Sequence, residues 1–304
     1  MSSGGAGKTA GKENAGIKTY LSEFRFPSPD EEWQFFAGQR RTCYDSYYPF
    51  QVLAPRGVER LEFEPVTILY GGNGSGKSTA LNVMAEKLEL ERDASFNKTG
   101  FFPDYLRLCS AEGDRPPKGS RIVTSDDVFA WMLDLRSLND GIDRKREDLF
   151  GQYLDAKYAD FKLESLDDYE RLKTVNAARR DSQSRFVRQR LMDNVRTRSN
   201  GESAFLYFTQ RITGDALYLL DEPENSLSPA RQLELADFLL ESARFYGCQF
   251  IIATHSPFLL ALRGARIYDL DADPPRPRRW TELENVQVYQ RFFADHAGEF
   301  FDGE

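Results

Sequence analysis

Val66-Thr67-Ile68-Leu69-Tyr70-Gly71-Gly72-Asn73-Gly74-Ser75-Gly76-Lys77-Ser78-Thr79-Ala80-Leu81-Asn82-Val83-Met84-Ala85 reads as a strand, a glycine-rich turn and a helix. The apolar run fits a buried strand, and the glycines let successive backbone N–H groups turn inward around an anion. A helix N-terminus adds partial positive charge, a lysine reaches β- and γ-phosphates, and the following hydroxyl ligates Mg²⁺. Gly71, Asn73, Gly74, Ser75, Gly76, Lys77, Ser78 and Thr79 are therefore candidate phosphate-binding residues for ATP or GTP, with Ser78 also a metal ligand. The pattern alone is common; the strand before it and the helix after it make it specific. Gly5-Ala6-Gly7-Lys8-Thr9 imitates the end of the same loop without any strand to precede it, and is read as a decoy.

The 304 residues suffice for one large domain or two modest ones. Charged residues at 29% and hydrophobic ones at 40% are ordinary for a soluble globular protein, and no run approaches the about eighteen apolar residues that span a bilayer. Cys43, Cys109 and Cys248 lack metal-ligand spacing and are expected as reduced, buried thiols in a cytoplasmic protein. A net charge of −8 argues against wholesale coating of nucleic acid and leaves room for a local basic patch.

Working outward, residues 1–16 carry no apolar periodicity or secretory core and are expected to be a disordered tail. Ile17 to Phe26 and Leu61 to Phe63 read as strands. Tyr48, in the aromatic stretch between them, is either an adenine-stacking ring or ordinary core, with core favoured. Glu86 to Gly119 is expected to be irregular, before a short strand at Ser120 to Thr124. A charged helical lobe then runs from Ser125 to about Arg198, with Ser125, Asp126 and Asp127 offering N-cap chemistry. Its second half is basic (Arg171, Lys173, Arg179, Arg180, Arg185, Arg188, Arg190, Arg196 and Arg198), which is either a contact for nucleotide phosphates, nucleic acid or the lobe's own acidic half, or a solvated face laced with ion pairs, the latter favoured.

After the polar turn Arg198-Ser199-Asn200-Gly201-Glu202-Ser203 and an apolar helix, Ala216 to Leu220 reads as a buried strand ending in Asp221-Glu222-Pro223-Glu224. An acid at the carboxyl end of a strand parallel to the phosphate-loop strand lies where Mg²⁺ needs support. Asp221 is the candidate metal ligand and Glu222 the candidate base for water, whereas Glu224 is a further site residue or a surface carboxylate. A helix is expected from Pro229 to about Tyr246, burying Leu233, Ala236, Leu239, Leu240 and Ala243. The next strand, Cys248 to Thr254, ends at His255, placed for a γ-phosphate or water contact. A last strand at Arg266 to Leu270 precedes a helix carrying Val286, Tyr289, Phe292 and Phe293, expected to pack on the sheet edge; His296 is given no function and residues 298–304 are expected to fray.

In order and spacing, the phosphate loop, Ser199-Asn200-Gly201-Glu202, Asp221-Glu222-Pro223-Glu224, Ser226-Leu227-Ser228-Pro229 and Thr254-His255-Ser256-Pro257 resemble an ABC-type ATPase head. More closely, they resemble the standalone bacterial ATPases with an Asn-Gly-Glu-Ser signature and an Asp-Glu-Pro-Glu motif. The resemblance covers about Ile17 to Leu270. It implies an α/β P-loop NTPase fold of ABC type: a mainly parallel core sheet, an antiparallel N-terminal β region and an inserted helical lobe. The expected division is 17–124 and 199–270 for the ATP-binding core, 125–198 for the lobe and 271–304 for a C-terminal extension.

The resemblance further implies ATP and Mg²⁺ as cofactors, with Lys77, Ser78 and Thr79 on phosphate and metal, Asp221 supporting Mg²⁺, Glu222 as general base and His255 on the γ-phosphate. Ser199, Gly201 and Glu202 would complete the site of a second copy in an ATP-dependent homodimer. Arg198 and Asn200 stand where the family signature has Leu and Gly, and no glutamine follows the Ile122-Val123 strand, where Ser125 or Asp126 stands instead. The function implied is a cytoplasmic ATPase that acts as a switch on a protein or nucleic-acid partner in stress, defence or repair. The alternatives are the energy subunit of a membrane transporter and a slow-turnover nucleotide sensor.

Overall fold

The computed structural model describes residues 18–41, 43–160, 169–194 and 200–300. The expected tail with its decoy loop, Arg196, Arg198, Ser199 and residues 301–304 lie outside the described residues. Two compact units result, one formed by the chain up to Val128 and from Ala204 onward, the other by Phe129–Ser203.

The first unit opens with β1 (Leu21–Arg25), α1 (Pro29–Ala37), β2 (Arg60–Glu62), β3 (Val66–Tyr70) and α2 (Lys77–Lys87). It continues with α3 (Phe102–Leu108), β4 (Ser110–Gly113), β5 (Arg121–Thr124) and the first turn of α4 (Ser125–Tyr158). The rest of α4, α5 (Tyr169–Arg180) and α6 (Gln183–Arg188) make the second unit, from which α7 (Asn200–Arg211) leads back. There follow β6 (Leu217–Asp221), α8 (Pro229–Phe245), β7 (Gln249–Ala253), α9 (Pro257–Leu260), β8 (Arg266–Asp269), β9 (Arg276–Pro277) and α10 (Glu284–Asp295).

Six strands form one sheet in the order β5-β6-β7-β3-β8-β9, parallel except for β9. Every residue of β3, β6 and β7 is buried, as expected for parallel strands covered on both faces. A second sheet, β2-β1-β4, is antiparallel. The expected mainly parallel core sheet and antiparallel N-terminal region are both present. Gln249 ties the two sheets together: its fully buried amide accepts from the N–H groups of Tyr20 (2.7 Å) and Leu21 (2.8 Å) and donates to Leu21 O (2.7 Å). A polar side chain at the start of a buried strand is tolerated because its amide is satisfied. Phe24, Phe26, Phe50, Leu81, Met84, Phe102, Tyr105 and Ile251 fill the core. Burial of each large apolar side chain stabilises by about 1.5–3 kcal/mol, and this packing fixes α2 and the loop before it.

Several local expectations are corrected. The segment Glu86 to Gly119 contains α3 and β4; β4 is exposed along its whole length, so it shows no apolar alternation. Helix α1 has a full capping box, Ser28 with Glu31, a signal legible in Ser28-Pro29-Asp30-Glu31. In α8, Leu233 is exposed and Leu235 takes its place in the core. Helix α10 buries Val286 but leaves Tyr289, Phe292 and Phe293 about half exposed rather than packed on the sheet edge, and His296 stacks on Phe292. Cys43 is exposed, whereas Cys109 and Cys248 are buried, and burial raises their thiols to about 12 and about 11.

In the second unit, Leu149, Tyr153, Val175, Ala178, Phe186 and Val187 form a small core of their own. Among its basic residues, Arg180 and Arg185 pair with Asp181, and Arg179 donates to Ala159 O. These contacts fit the expected face laced with internal ion pairs.

Candidate functional site

The site is assembled at the carboxyl ends of β3, β6 and β7, three consecutive strands of the parallel sheet. Ligands in open α/β sheets bind at this end. Beyond β3 the loop closes on α2, whose N-cap is Gly76 (φ 93°) and whose first turn has no side-chain cap. Gly76 also approaches Leu53 so closely that a Cβ would lie 2.7 Å from Leu53 Cδ2, and only glycine meets both demands. Uncapped N–H groups at a helix N-terminus make an anion site. Ser75 Oγ, buried in the same loop, has no hydrogen-bond partner among the described residues, an orphan that suits a ligand oxygen.

Lys77 is 5% exposed, and its ammonium donates to Gly71 O (2.6 Å) and Gly72 O (3.1 Å). Gly72 N in turn donates to Asp271 Oδ2 (2.6 Å), just beyond β8, so the strand next to β3 steadies the start of the loop. In the first turn of α2, Ser78 Oγ donates to Asp221 Oδ1 at 3.0 Å. Burial pushes the Asp221 carboxyl up to about 6; the Ser78 hydrogen bond opposes this and Glu222 adds to it. A buried carboxylate beside a hydroxyl is the donor set a hard divalent cation takes. Among the described residues no group of three or more His, Cys, Asp and Glu could hold a metal alone, so a Mg²⁺ at Ser78 and Asp221 would draw its other ligands from phosphate and water. The residues fit both groups.

Glu222 has φ 48°, uncommon for a non-glycine residue, and its N–H donates to Ala253 O (2.9 Å) across the ladder. Asn225 Nδ2 donates to Glu222 Oε2 at 2.9 Å, and His255 Nδ1 lies 4.0 Å from Glu222 Oε1. Glu224 is buried, which excludes the surface-carboxylate reading. Its Oε1 accepts from Thr254 Oγ1 (2.6 Å), His255 N (3.0 Å) and Ser256 N (3.2 Å), so it holds the turn that carries His255.

Beside Ser78 and Asp221 opens a polar cavity of about 460 Å³, also lined by Tyr48, Asn82, Arg92, Ser125, Asp126 and Glu222. Ser125 and Asp126 thus reach the place where the resemblance expects a glutamine. Asp127 turns away to complete a capping box, accepting from Thr124 N (2.6 Å) while Thr124 Oγ1 accepts from Asp127 N (3.3 Å). Tyr48 packs against Phe102, and its hydroxyl donates to Thr79 Oγ1 at 3.3 Å, so it is neither a free ring nor plain core. Arg92 lies over Phe96, donates to Asn82 Oδ1 (2.9 Å) and has its pKa lowered by burial. Nothing in the sequence around Arg92 distinguishes it.

Lys77, Ser78, Asp221, Glu222 and His255 therefore meet within the first unit. Gly201 and Glu202 occupy the first turn of α7 and belong to the other unit, and Ser199 is outside the described residues.

Residues 199–261, which include Asp221, Glu222 and His255 but not the phosphate loop, match the family described as "AAA domain, putative AbiEii toxin, Type IV TA system". Over 208 residues the chain is 26% identical to an uncharacterized ABC transporter ATP-binding protein, YdbJ, of Bacillus subtilis (strain 168). That match covers 67% of this chain and 56% of the relative, so the chain spans little more than half of that protein's length. Among solved structures, the Smc head domain of Pyrococcus furiosus bound to the C-terminal domain of ScpA is 14% identical, with 76% of this chain and 95% of that one covered at a TM-score of 0.38. A dimeric post-hydrolysis ATP-binding cassette bound to ADP and Pi is 15% identical, covering 73% and 88% at a TM-score of 0.34. The family match and the curated relative bear out the resemblance to ABC-type ATPases.

Proposed function

We propose that this chain is a Mg²⁺-dependent, ABC-type ATPase that works as a nucleotide-driven switch. The observation that carries the reading is the Ser78–Asp221 hydrogen bond at the mouth of the phosphate loop, with Glu222 and His255 beside it. Lys77 turns from the carbonyls of Gly71 and Gly72 to the β- and γ-phosphates, and Gly74, Ser75, Gly76, Ser78 and Thr79 cradle them. Ser78 and Asp221 hold Mg²⁺, which when bound neutralises phosphate charge. Glu222 takes a proton from the attacking water, and His255 hydrogen-bonds a γ-phosphate oxygen as the bond from the γ-phosphorus to the bridging oxygen breaks. Catalysis is chiefly positioning and charge stabilisation.

Hydrolysis takes place between two copies, with Ser199, Gly201 and Glu202 of one completing the site of the other, an isologous arrangement closed by ATP. Closure acts on a protein or nucleic-acid partner in stress, defence or repair. The test is the solution mass of Glu222→Gln with Mg²⁺-ATP and without nucleotide. A dimer that needs ATP and is lost on Ser199→Arg supports the reading, whereas an unchanged mass despite bound ATP sinks the self-dimer.

The name of the curated relative favours a second reading, the ATP-binding subunit of a transporter. Among the described residues no helix is long and apolar enough to cross a membrane, so that reading requires a separate hydrophobic subunit, and co-purification of one would support it.

A further inference from the structure

His255 is held from both sides of its own backbone. Its N–H donates to Glu224 Oε1 at 3.0 Å, and its carbonyl accepts from Asn285 Nδ2 at 2.6 Å. Its side chain, 47% exposed, has Nδ1 3.6 Å from Glu224 Oε1 and 4.0 Å from Glu222 Oε1, and it also lines the apolar cavity beside α10.

Asn285 belongs to none of the nucleotide motifs, and Glu224 closes the Asp221-Glu222-Pro223-Glu224 motif without a role on the nucleotide assigned to it. Glu224 is 6% exposed and spends one oxygen on three donors of the Thr254–Ser256 turn. Asn285 is in the first turn of α10, in the C-terminal extension. That turn is seated by Leu283 (0% exposed) and Val286 (7%), and the Asn285 N–H donates to Tyr70 OH at 3.1 Å, at the end of the strand that feeds the phosphate loop. Beyond it, Tyr289 and Phe293 line a largely apolar cavity of about 600 Å³ together with Ser256 and Phe258, so α10 is firmly anchored at its start and loosely packed further on.

We propose that Glu224 and Asn285 are positioning residues for His255, and that the C-terminal extension thereby forms part of the hydrolytic apparatus. The inference rests on the reading of His255 as a γ-phosphate contact. Each hydrogen bond fixes the peptide on one side of the His255 Cα, and together they fix the direction of its side chain. Small losses of direction are expensive in catalysis because the group must meet the transition state in place. Both residues bond to the turn that carries His255 or to Tyr70 and neither belongs to the phosphate loop, so they are assigned to turnover and not to nucleotide affinity.

The experiment is steady-state ATP hydrolysis and binding of a fluorescent ATP analogue with the full chain. The variants are His255→Ala, Asn285→Ala, Asn285→Asp, Glu224→Gln and the doubles Asn285→Ala with His255→Ala and Glu224→Gln with His255→Ala. Asn285→Asp keeps the shape but removes the donor, and Glu224→Gln keeps an acceptor but removes the charge. The expected result is a fall in kcat of about tenfold for the single Asn285 and Glu224 variants, with the dissociation constant within about twofold of wild type. In the His255→Ala background these substitutions cause no further loss, because their effect passes through the imidazole.

Wild-type turnover in both Asn285 variants, beside an impaired His255→Ala, would overturn the inference and leave the ATPase reading intact. Losses that multiply in the doubles would also overturn it, since the residues would then act independently of His255. Wild-type turnover in His255→Ala would remove the assigned role of the imidazole and the inference with it. Should Glu224→Gln fail to fold, the Asn285 series decides alone.

Discussion

Ser78 Oγ and Asp221 Oδ1 are 3.0 Å apart although 143 positions separate them in the chain. Without metal the pair satisfies itself, but Asp221 bears the cost of burial, which places its carboxyl near 6 instead of 3.8. Folding therefore favours the protonated acid. The cost is absent below about pH 4, where both states are protonated, and complete above about pH 6. Asp221→Asn is expected to stabilise the chelated protein at pH 7.5 by about 2–3 kcal/mol, with the gain vanishing as pH falls from 6 to 4. Denaturant melts in chelator at several pH values check this, and equal stability of the two proteins at pH 7.5 would contradict it.

Glu222 emerges from β6 in a left-handed backbone conformation with its side chain 27% exposed. Glu222→Gln preserves shape and the acceptor for Asn225 while removing the base. Turnover is expected to drop about 10²-fold or more, with ATP affinity retained, as read by single-turnover hydrolysis and equilibrium binding. A drop in affinity matching the drop in rate would instead assign Glu222 to binding.

Gly74 and Gly76 both have positive φ, 79° and 93°, but their surroundings differ: an added Cβ meets nothing within 4 Å at Gly74 and Leu53 Cδ2 at 2.7 Å at Gly76. Gly74→Ala is expected to cost about 1 kcal/mol from the backbone alone. Gly76→Ala adds a clash with the loop that supports α2 and should cost at least twice as much while abolishing ATP binding. Urea unfolding of the two variants separates the effects; equal losses would show that Leu53 yields.

Glu32 is buried on α1, where its Oε2 accepts from Gln51 N at 2.9 Å and its Oε1 has no hydrogen-bond partner among the described residues. Burial raises its pKa, and the Gln51 hydrogen bond only partly offsets this. The charged form is the disfavoured one, so Glu32→Gln should raise the melting temperature at pH 8 and lose that advantage towards pH 4. The opposite pH trend would mean that the charge is compensated in the native state.

The parallel sheet and the phosphate loop were legible because β3, β6 and β7 are continuous apolar runs ending in chemically distinctive residues: Gly71, Asp221 and His255. Edge elements were not. Strand β4 faces solvent throughout, and β9 is two residues long, so neither carries a period to read. Glu224 was ambiguous because sequence cannot distinguish a carboxylate beyond a strand that meets solvent from one folded back onto three N–H and O–H donors. Asn285 owes its place to a contact with His255, 30 residues away, and Arg92 to a hydrogen bond with Asn82, one turn of α2 from Ser78. No local pattern announces such a contact.

The ladder also dictates when the site can exist during synthesis. Strand β3 pairs with β7, Val66 with Phe250, and with β8, Thr67 with Arg266, so both of its neighbours are made some two hundred residues after it. A ribosome releasing the chain from its N-terminus exposes the phosphate loop long before any strand can flank it. Contacts of such sequence separation form slowly and leave apolar edges uncovered in the meantime. Until β7 and β8 are made, β3 has neither of its sheet neighbours, and a truncation between them leaves the strand that feeds the glycine-rich loop with one edge unpaired.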